Sequence, residues 1–202
     1  MKTMQKFIFT VGIITFLLSC NNSDEPTPVL PLESTLVEDL AAPNDLIDRS
    51  TGQILEERPF QFFSLEQNAL VNENEDWDLA FKGTTIRVNS AKNVSAAIVS
   101  GIFEEISEVP ASAVFAKDTA TSFAIPTGSG TGWYNYNSAT FTVTPIPGRV
   151  ILVKTTKGNY VKIEILSYYK GNPPIEQIDP RTTPSGHYTF RYILQPNGST
   201  KF

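Results

Sequence analysis

Apolar and polar residues alternate along several stretches of this chain, with the period of two that is typical of half-buried β-strands. The clearest stretch lies near the C-terminal end, where one face consists of Tyr188, Phe190, Tyr192 and Leu194. The same alternation occurs at residues 77–81, where Trp77, Leu79 and Phe81 share a face that excludes Asp78. Residues 150–169 predict a β-hairpin around a turn at Lys157, Gly158 and Asn159.

The remaining segments are short and are separated by turn signals. We expect a helix or strand at 36–47, strands at 60–65, 84–89 and 141–143, helix or strand at 96–99 and 102–106, a helical turn at 109–114, and a Pro-rich loop at 172–186. Residues 126–138 read PTGSGTGWYNYNS, which predicts a flexible loop that carries aromatic side chains. Many short strands with turns between them predict an all-β sandwich or barrel with little helix.

The N-terminal residues predict a lipoprotein signal peptide over residues 1–19. Lys2 and Lys6 precede an apolar run from Phe7 to Leu18, which is too short to span a membrane as a helix. The run ends in LLSC, which resembles the lipobox of bacterial lipoproteins and makes Cys20 the expected lipidation site. Lipid chains inserted in a bilayer anchor a protein without spanning it, so we expect the membrane to be contacted through the lipid alone.

Residues 20–34 predict a flexible tether, because they are rich in Asn, Pro and acidic side chains. The acidic pair Asp24 and Glu25 resembles the signal that directs Bacteroidetes lipoproteins to the outer face of the outer membrane. We therefore expect display at the cell surface and a β domain over residues 35–202. A chain of 202 residues has room for one such domain.

Charge and composition exclude several classes of function. Residues 21–78 carry 14 acids and two bases, which argues against a nucleic acid as the partner. The single Cys excludes an internal disulfide framework, and one His with one Cys cannot form a zinc site. No nucleophile elbow or phosphate-binding Gly loop is present, so we expect a protein that is not an enzyme.

Three segments together resemble one family of Bacteroidetes lipoproteins, the HmuY family. They are WDLAF at residues 77–81, KTTKGNYVKI at 154–163 and GHYTFRY at 186–192, and the likeness extends over about residues 35–196. The resemblance implies a two-sheet antiparallel sandwich on a lipid anchor. It also implies that the protein captures haem, or a related tetrapyrrole, for iron acquisition and passes it to a TonB-dependent outer-membrane receptor.

The chain departs from the family in the residues that would ligate iron. The resemblance implies two His ligands, or Met ligands in some relatives, but the mature chain contains only His187 and no Met. Tyrosine also ligates haem iron, and aromatic rings stack on porphyrins. The candidate haem-binding residues are therefore Trp133, Tyr134 and Tyr136 of the Gly-rich loop, together with His187.

An alternative function stays open at the level of sequence. The protein can instead be a non-haem accessory or adhesin-like lipoprotein that binds protein, glycan or another small molecule through residues 126–138. Two weaker motifs are a faint calcium-loop pattern at residues 72–76 and a possible O-glycosylation site at Thr119. Arg149, Lys154 and Lys157 are the basic side chains that the sequence offers for haem propionates.

Overall fold

The computed structural model describes residues 32–202. The predicted signal peptide, Cys20 and tether residues 20–31 lie outside the described residues. Within residues 32–202, no helix is long and apolar enough to cross a membrane.

Thirteen strands and two short 3-10 helices occur in the described residues. The strands are β1 (Thr35–Ala41), β2 (Leu46–Ile47), β3 (Ile54–Glu56), β4 (Gln61–Ser64), β5 (Ala69–Val71), β6 (Leu79–Lys82), β7 (Thr85–Val88), β8 (Ser95–Ser100), β9 (Tyr134–Asn137), β10 (Thr142–Pro145), β11 (Arg149–Lys154), β12 (Tyr160–Tyr169) and β13 (Ser185–Gln195). The 3-10 helices are Ser90–Lys92 and Ile175–Gln177. The predicted all-β fold with little helix is thereby confirmed.

Two antiparallel sheets form the body of the domain. The larger sheet has the order β1-β13-β12-β11-β8, and the smaller has the order β5-β4-β6-β7. Two separate hairpins, β2–β3 and β9–β10, belong to neither sheet. The predicted hairpin at residues 150–169 is β11–β12, and Ile151 pairs with Ile163 at its centre.

The core lies between the two sheets and is rich in aromatic rings. Phe81 of the small sheet stacks on Phe190 of the large sheet with ring centroids 5.8 Å apart, and Phe63 meets Phe190 edge to face at 5.7 Å. Aromatic pairs of this geometry stabilise a core beyond the area they bury. The alternating face of β13 that the sequence predicts as apolar is the face that packs here.

The large sheet is covered on its outer face as well, so Lys162 of β12 is buried at 3% exposure. Segment 101–116 lies over this face and brings Phe103 against β8 and β11. The Lys162 ammonium donates to the carbonyls of Phe103 and Ile106 at 2.8 and 2.7 Å and lies 4.8 Å from the Phe103 ring. Burial lowers the pKa of Lys162, and these contacts compensate the charge.

Two buried carboxylates join the sheets at the β11–β12 turn. Asp78, the residue before β6, accepts hydrogen bonds from the backbone N–H groups of Leu65 and Thr156, both at 2.8 Å. Glu66 accepts from the Thr155 hydroxyl at 2.6 Å and from the Asn159 amide at 3.0 Å. Burial raises the pKa of Asp78, and the backbone donors partly offset that rise.

Several local expectations require correction. Residues 102–106 and 109–114 form turns, with neither strand nor helix, because their side chains cover the large sheet. Part of the predicted flexible loop 126–138 is strand β9, which pairs with β10. Pro145 does not end the neighbouring strand but pairs with Tyr134 inside it, as proline can at the edge of a sheet.

We predict that Asp78→Ala destabilises the domain by about 2–4 kcal/mol, because it leaves two buried N–H groups without acceptors. The measurement is urea-induced unfolding of the purified protein. Asp76→Ala is the matched control. Asp76 is exposed and pairs with Lys92 at the surface, so its loss should change the free energy of unfolding by less than about 0.5 kcal/mol. Equal stability of the two variants would contradict the proposed contribution of the Asp78 hydrogen bonds to the stability of the domain.

Candidate functional site

A cavity of about 710 Å³ opens at the end of the domain where β12 finishes and β13 begins. Its volume falls in the range of about 300–1,000 Å³ that is usual for small-molecule sites. Three elements converge on it. Arg49 comes from the β2–β3 turn, Tyr136 and Phe141 come from the β9–β10 hairpin, and Arg181 comes from the connection between β12 and β13.

The β9–β10 hairpin is fixed to the body by tyrosine and tryptophan side chains at its base. The hydroxyl of Tyr169, at the end of β12, accepts a hydrogen bond from the Val143 N–H at 2.9 Å. The Trp133 indole N–H donates to the Thr84 carbonyl at 2.9 Å. The base of the hairpin is therefore rigid, and its tip is free to face the cavity.

Trp133 and Tyr134 lie in the core, with exposures of 2% and 8%. The Trp133 ring contacts the rings of Tyr134, Tyr168 and Tyr188 at centroid distances of 5.0, 5.9 and 5.1 Å. Residue 133 thus belongs to the packed interior and not to a loop open to a ligand, because the Gly-rich segment folds back onto the sheets. The structure brings neither residue to the cavity wall.

Tyr136, by contrast, lines the cavity with its side chain exposed at 46%. Its backbone N–H donates to the Ser129 hydroxyl at 2.8 Å, which ties β9 to the Gly-rich segment. The nearby tyrosines are chemically different, because burial raises the pKa of Tyr168 to about 12 and raises that of Tyr188. Those two phenols stay protonated and serve the fold. Tyr188, for example, donates to the Gly83 carbonyl at 2.8 Å.

His187 is half-buried on β13, where it pairs with Ala41 of β1. It lies two residues beyond Ser185, a cavity-lining residue on the same strand. Its Nδ1 is 2.9 Å from the Ser185 carbonyl oxygen, which favours the tautomer with a proton on Nδ1 and a lone pair on Nε2. Metal-binding histidines are commonly oriented by such a hydrogen bond to a carbonyl.

Phe141 has an unusual backbone at the tip of the β9–β10 hairpin. Its φ is +55°, a region that bulky side chains rarely occupy, and its ring is exposed at 66%. This conformation lies in the turn that joins β9 to β10, and it leaves the Phe141 ring at the cavity wall. The Phe141 ring therefore gives the cavity an apolar wall that packing within the domain does not use.

The three basic residues that the sequence offered for haem propionates do not line the cavity, and two arginines line it instead. Arg149 reaches the Thr131 carbonyl, Lys154 lies over the Tyr160 ring, and Lys157 approaches the Glu66 carboxylate. None of these three lines the cavity, whereas Arg49 and Arg181 do. Sequence reasoning missed both arginines and Phe141, because each lies in an irregular turn that gives no periodic signal.

The side chains of the calcium-loop pattern at residues 72–76 and of the segment around Thr119 make hydrogen bonds within the domain. Glu75 of the 72–76 segment accepts hydrogen bonds from the backbone and side chain of Asn72, both at 2.6 Å. Asp118 accepts from the N–H groups of Val88 and Ala124, while the Thr119 side chain is exposed in a turn with Ser122. In residues 32–202, no group of three or more His, Cys, Asp or Glu side chains is arranged to hold a metal ion.

Comparison with known proteins identifies one family. A family model described as HmuY protein matches residues 56–192, about two thirds of the chain. Among curated proteins none matches significantly.

Three solved structures illustrate the similarity of fold. Apo PinO from Porphyromonas gingivitis has a TM-score of 0.50 at 18% identity, with 81% of this chain and 98% of that chain covered. The apo HmuY analogue TFO from Tannerella forsythia has a TM-score of 0.46 at 17% identity, with coverage of 83% and 97%. A candidate HmuY-like haem-binding protein from Bacteroides vulgatus has a TM-score of 0.46 at 17% identity, with 78% of this chain and 97% of that chain covered.

The burial of Trp133 predicts a distinct fluorescence signature. The chain has two tryptophans, so Trp77→Phe leaves Trp133 as the sole emitter and Trp133→Phe leaves the half-buried Trp77. We expect the Trp77→Phe protein to emit further to the blue and to resist acrylamide quenching, because its indole is shielded by tyrosine rings. Equal quenching of the two single-tryptophan proteins would contradict the core placement of Trp133.

Proposed function

The chain belongs to the HmuY family, and from that premise we propose that it captures haem, or a related tetrapyrrole, in the cavity between its two hairpins. The observation that carries this proposal is the position of Tyr136. Of the candidate binding residues, it is the one that lines a cavity large enough for such a ligand. The protein is proposed to act as a lipid-anchored lipoprotein of the outer membrane, displayed at the cell surface for iron acquisition.

The residues of the cavity fit a tetrapyrrole in three respects. The Phe141 ring offers an apolar face to a flat macrocycle, and the Arg49 and Arg181 guanidinium groups offer positive charge. The Tyr136 phenol offers an oxygen ligand of the kind that holds haem iron in some proteins. Bound haem would supply the iron for such a ligand, and Tyr136 would be the residue that holds it.

His187 is the second candidate iron ligand. Its Nδ1 is engaged by the Ser185 carbonyl, and its strand position lies next to the cavity wall. The inventory of the chain excludes the two-histidine and methionine ligand sets of relatives, because the mature chain has one His and no Met. We therefore propose ligation led by Tyr136, with His187 as the other residue to test. Release to a TonB-dependent receptor is the expected next step.

The test is a titration of the purified protein with ferric haem, followed at the Soret band. We expect a saturable, red-shifted band in the wild type. In Tyr136→Phe we expect a changed spectrum and affinity weaker by about tenfold or more, which corresponds to about 1.4 kcal/mol. His187→Ala is measured in parallel and reports whether the imidazole contributes a second ligand.

Tyr160→Phe is the matched control for the loss of one hydroxyl. Tyr160 lies at the start of β12, against Lys154 and Phe115 and away from the cavity, so its spectrum and affinity should remain those of the wild type. A free-haem spectrum at all protein concentrations would overturn the proposal. The search for a ligand would then move to the alternative, a non-haem partner.

A further inference from the structure

We propose that Arg49 and Arg181 form the carboxylate-binding end of the cavity, where they pair with two carboxylates carried on one edge of an apolar ligand. The inference rests on the proposed function, under which these carboxylates are the two propionates of the tetrapyrrole. It adds a specificity, because it predicts that the cavity selects dicarboxylates over their neutral esters.

Six arginines occur in residues 32–202, and Arg49 and Arg181 are the two whose guanidinium groups make no ion pair or hydrogen bond with another residue of this described range. Arg58 pairs with Glu56 at 2.9 Å. The other three bind groups of the fold: Arg87 approaches Asp118, Arg149 reaches Thr131, and Arg191 pairs with Glu104 and Glu164. The two uncommitted arginines come from separate connections and line the same cavity.

The aspartates that lie close to these arginines in sequence, Asp48 and Asp179, accept hydrogen bonds from their own turns and not from the guanidinium groups. Asp48 accepts hydrogen bonds from the backbone N–H and the hydroxyl of Ser50 at 2.8 and 2.6 Å. Asp179, which also lines the cavity, accepts from the Arg181 backbone N–H at 2.9 Å. In both turns an aspartate binds the backbone two residues ahead, a self-contained turn that leaves the neighbouring guanidinium without a partner.

Two like charges that face one cavity repel each other, and a bound anion removes that cost. Arginine suits carboxylates, because its planar group donates two parallel hydrogen bonds to one carboxylate. The remaining wall includes the rings of Tyr136 and Phe141 and the side chain of Pro180, which suit an apolar body. The cavity is therefore matched to an amphiphilic ligand with its negative charge at one edge.

The experiment uses metal-free protoporphyrin IX and its dimethyl ester, so that no iron ligand contributes. Binding is followed by the quenching of tryptophan fluorescence in the purified protein. We expect the wild type to bind the diacid more tightly than the ester by about tenfold or more, with an advantage that shrinks at high salt. Arg49→Gln and Arg181→Gln should each weaken binding of the diacid severalfold and leave binding of the ester unchanged.

Arg58→Gln is the matched control, because Arg58 lies in the segment after β3 and is paired with Glu56. It should retain the wild-type preference. Thermal unfolding of each variant checks that a loss of affinity is not a loss of folding, and Arg49→Lys and Arg181→Lys should restore part of the preference.

Equal affinity of the wild type for diacid and ester, or arginine variants that keep the full preference, would overturn the inference. Ferric haem distinguishes this failure from failure of the proposed function. A Tyr136-dependent Soret shift that survives in Arg49→Gln and Arg181→Gln means that haem is bound without the arginines. A wild type that binds neither porphyrin nor haem overturns both proposals.

Discussion

The carboxylates of Glu66 and Asp78 hold the two sheets together, and the position of the cavity depends on that attachment. Both acids belong to the small-sheet side and receive hydrogen bonds from the β11–β12 turn of the large sheet. From this turn β12 runs ten residues to the cavity end, a distance of about 30 Å. The side chains of β12 are buried along most of this length, including Tyr168 and Tyr169 at its end. The tyrosines that end β12 can therefore anchor a hairpin at a defined place.

The other end of the domain is fixed by phenols and indoles instead of carboxylates. Tyr188 donates to the carbonyl of Gly83, whose φ of +53° lies in the left-handed region that favours glycine. Trp133 bonds to the next carbonyl, that of Thr84. The turn between β6 and β7 thus receives two aromatic side chains, Tyr188 from the large sheet and Trp133 from the segment before β9. The hairpin tips beyond them make few contacts with the body, so they can present side chains to a ligand.

The alternation of apolar residues predicted the strands that carry the core, because burial between two sheets imposes a period of two on β12 and β13. It could not predict that the large sheet is covered on both faces. Lys162 looks like a solvated residue in the sequence, yet it is buried by a segment without regular structure. The same reasoning proposed Tyr136 as a binding residue together with Trp133 and Tyr134, and of these three Tyr136 is the one that lines the cavity. Three aromatic residues within four positions do not show in the sequence which of them is buried. In the folded chain Trp133 and Tyr134 are buried and Tyr136 is exposed. Arg49 and Arg181 are distant in sequence and meet through topology alone.

The domain divides into a buried scaffold and exposed hairpin tips, and the two parts place different constraints on the sequence. Trp133 and Tyr188 are buried and donate hydrogen bonds to backbone carbonyls, and the buried Tyr168 ring packs against both, so their replacement costs stability. Tyr136 and Phe141 contribute little to the core, so substitutions there should cost the fold less than substitutions in the scaffold. Membership of the HmuY family concerns the fold, which the scaffold carries, whereas the side chains at the tips can change without changing that fold.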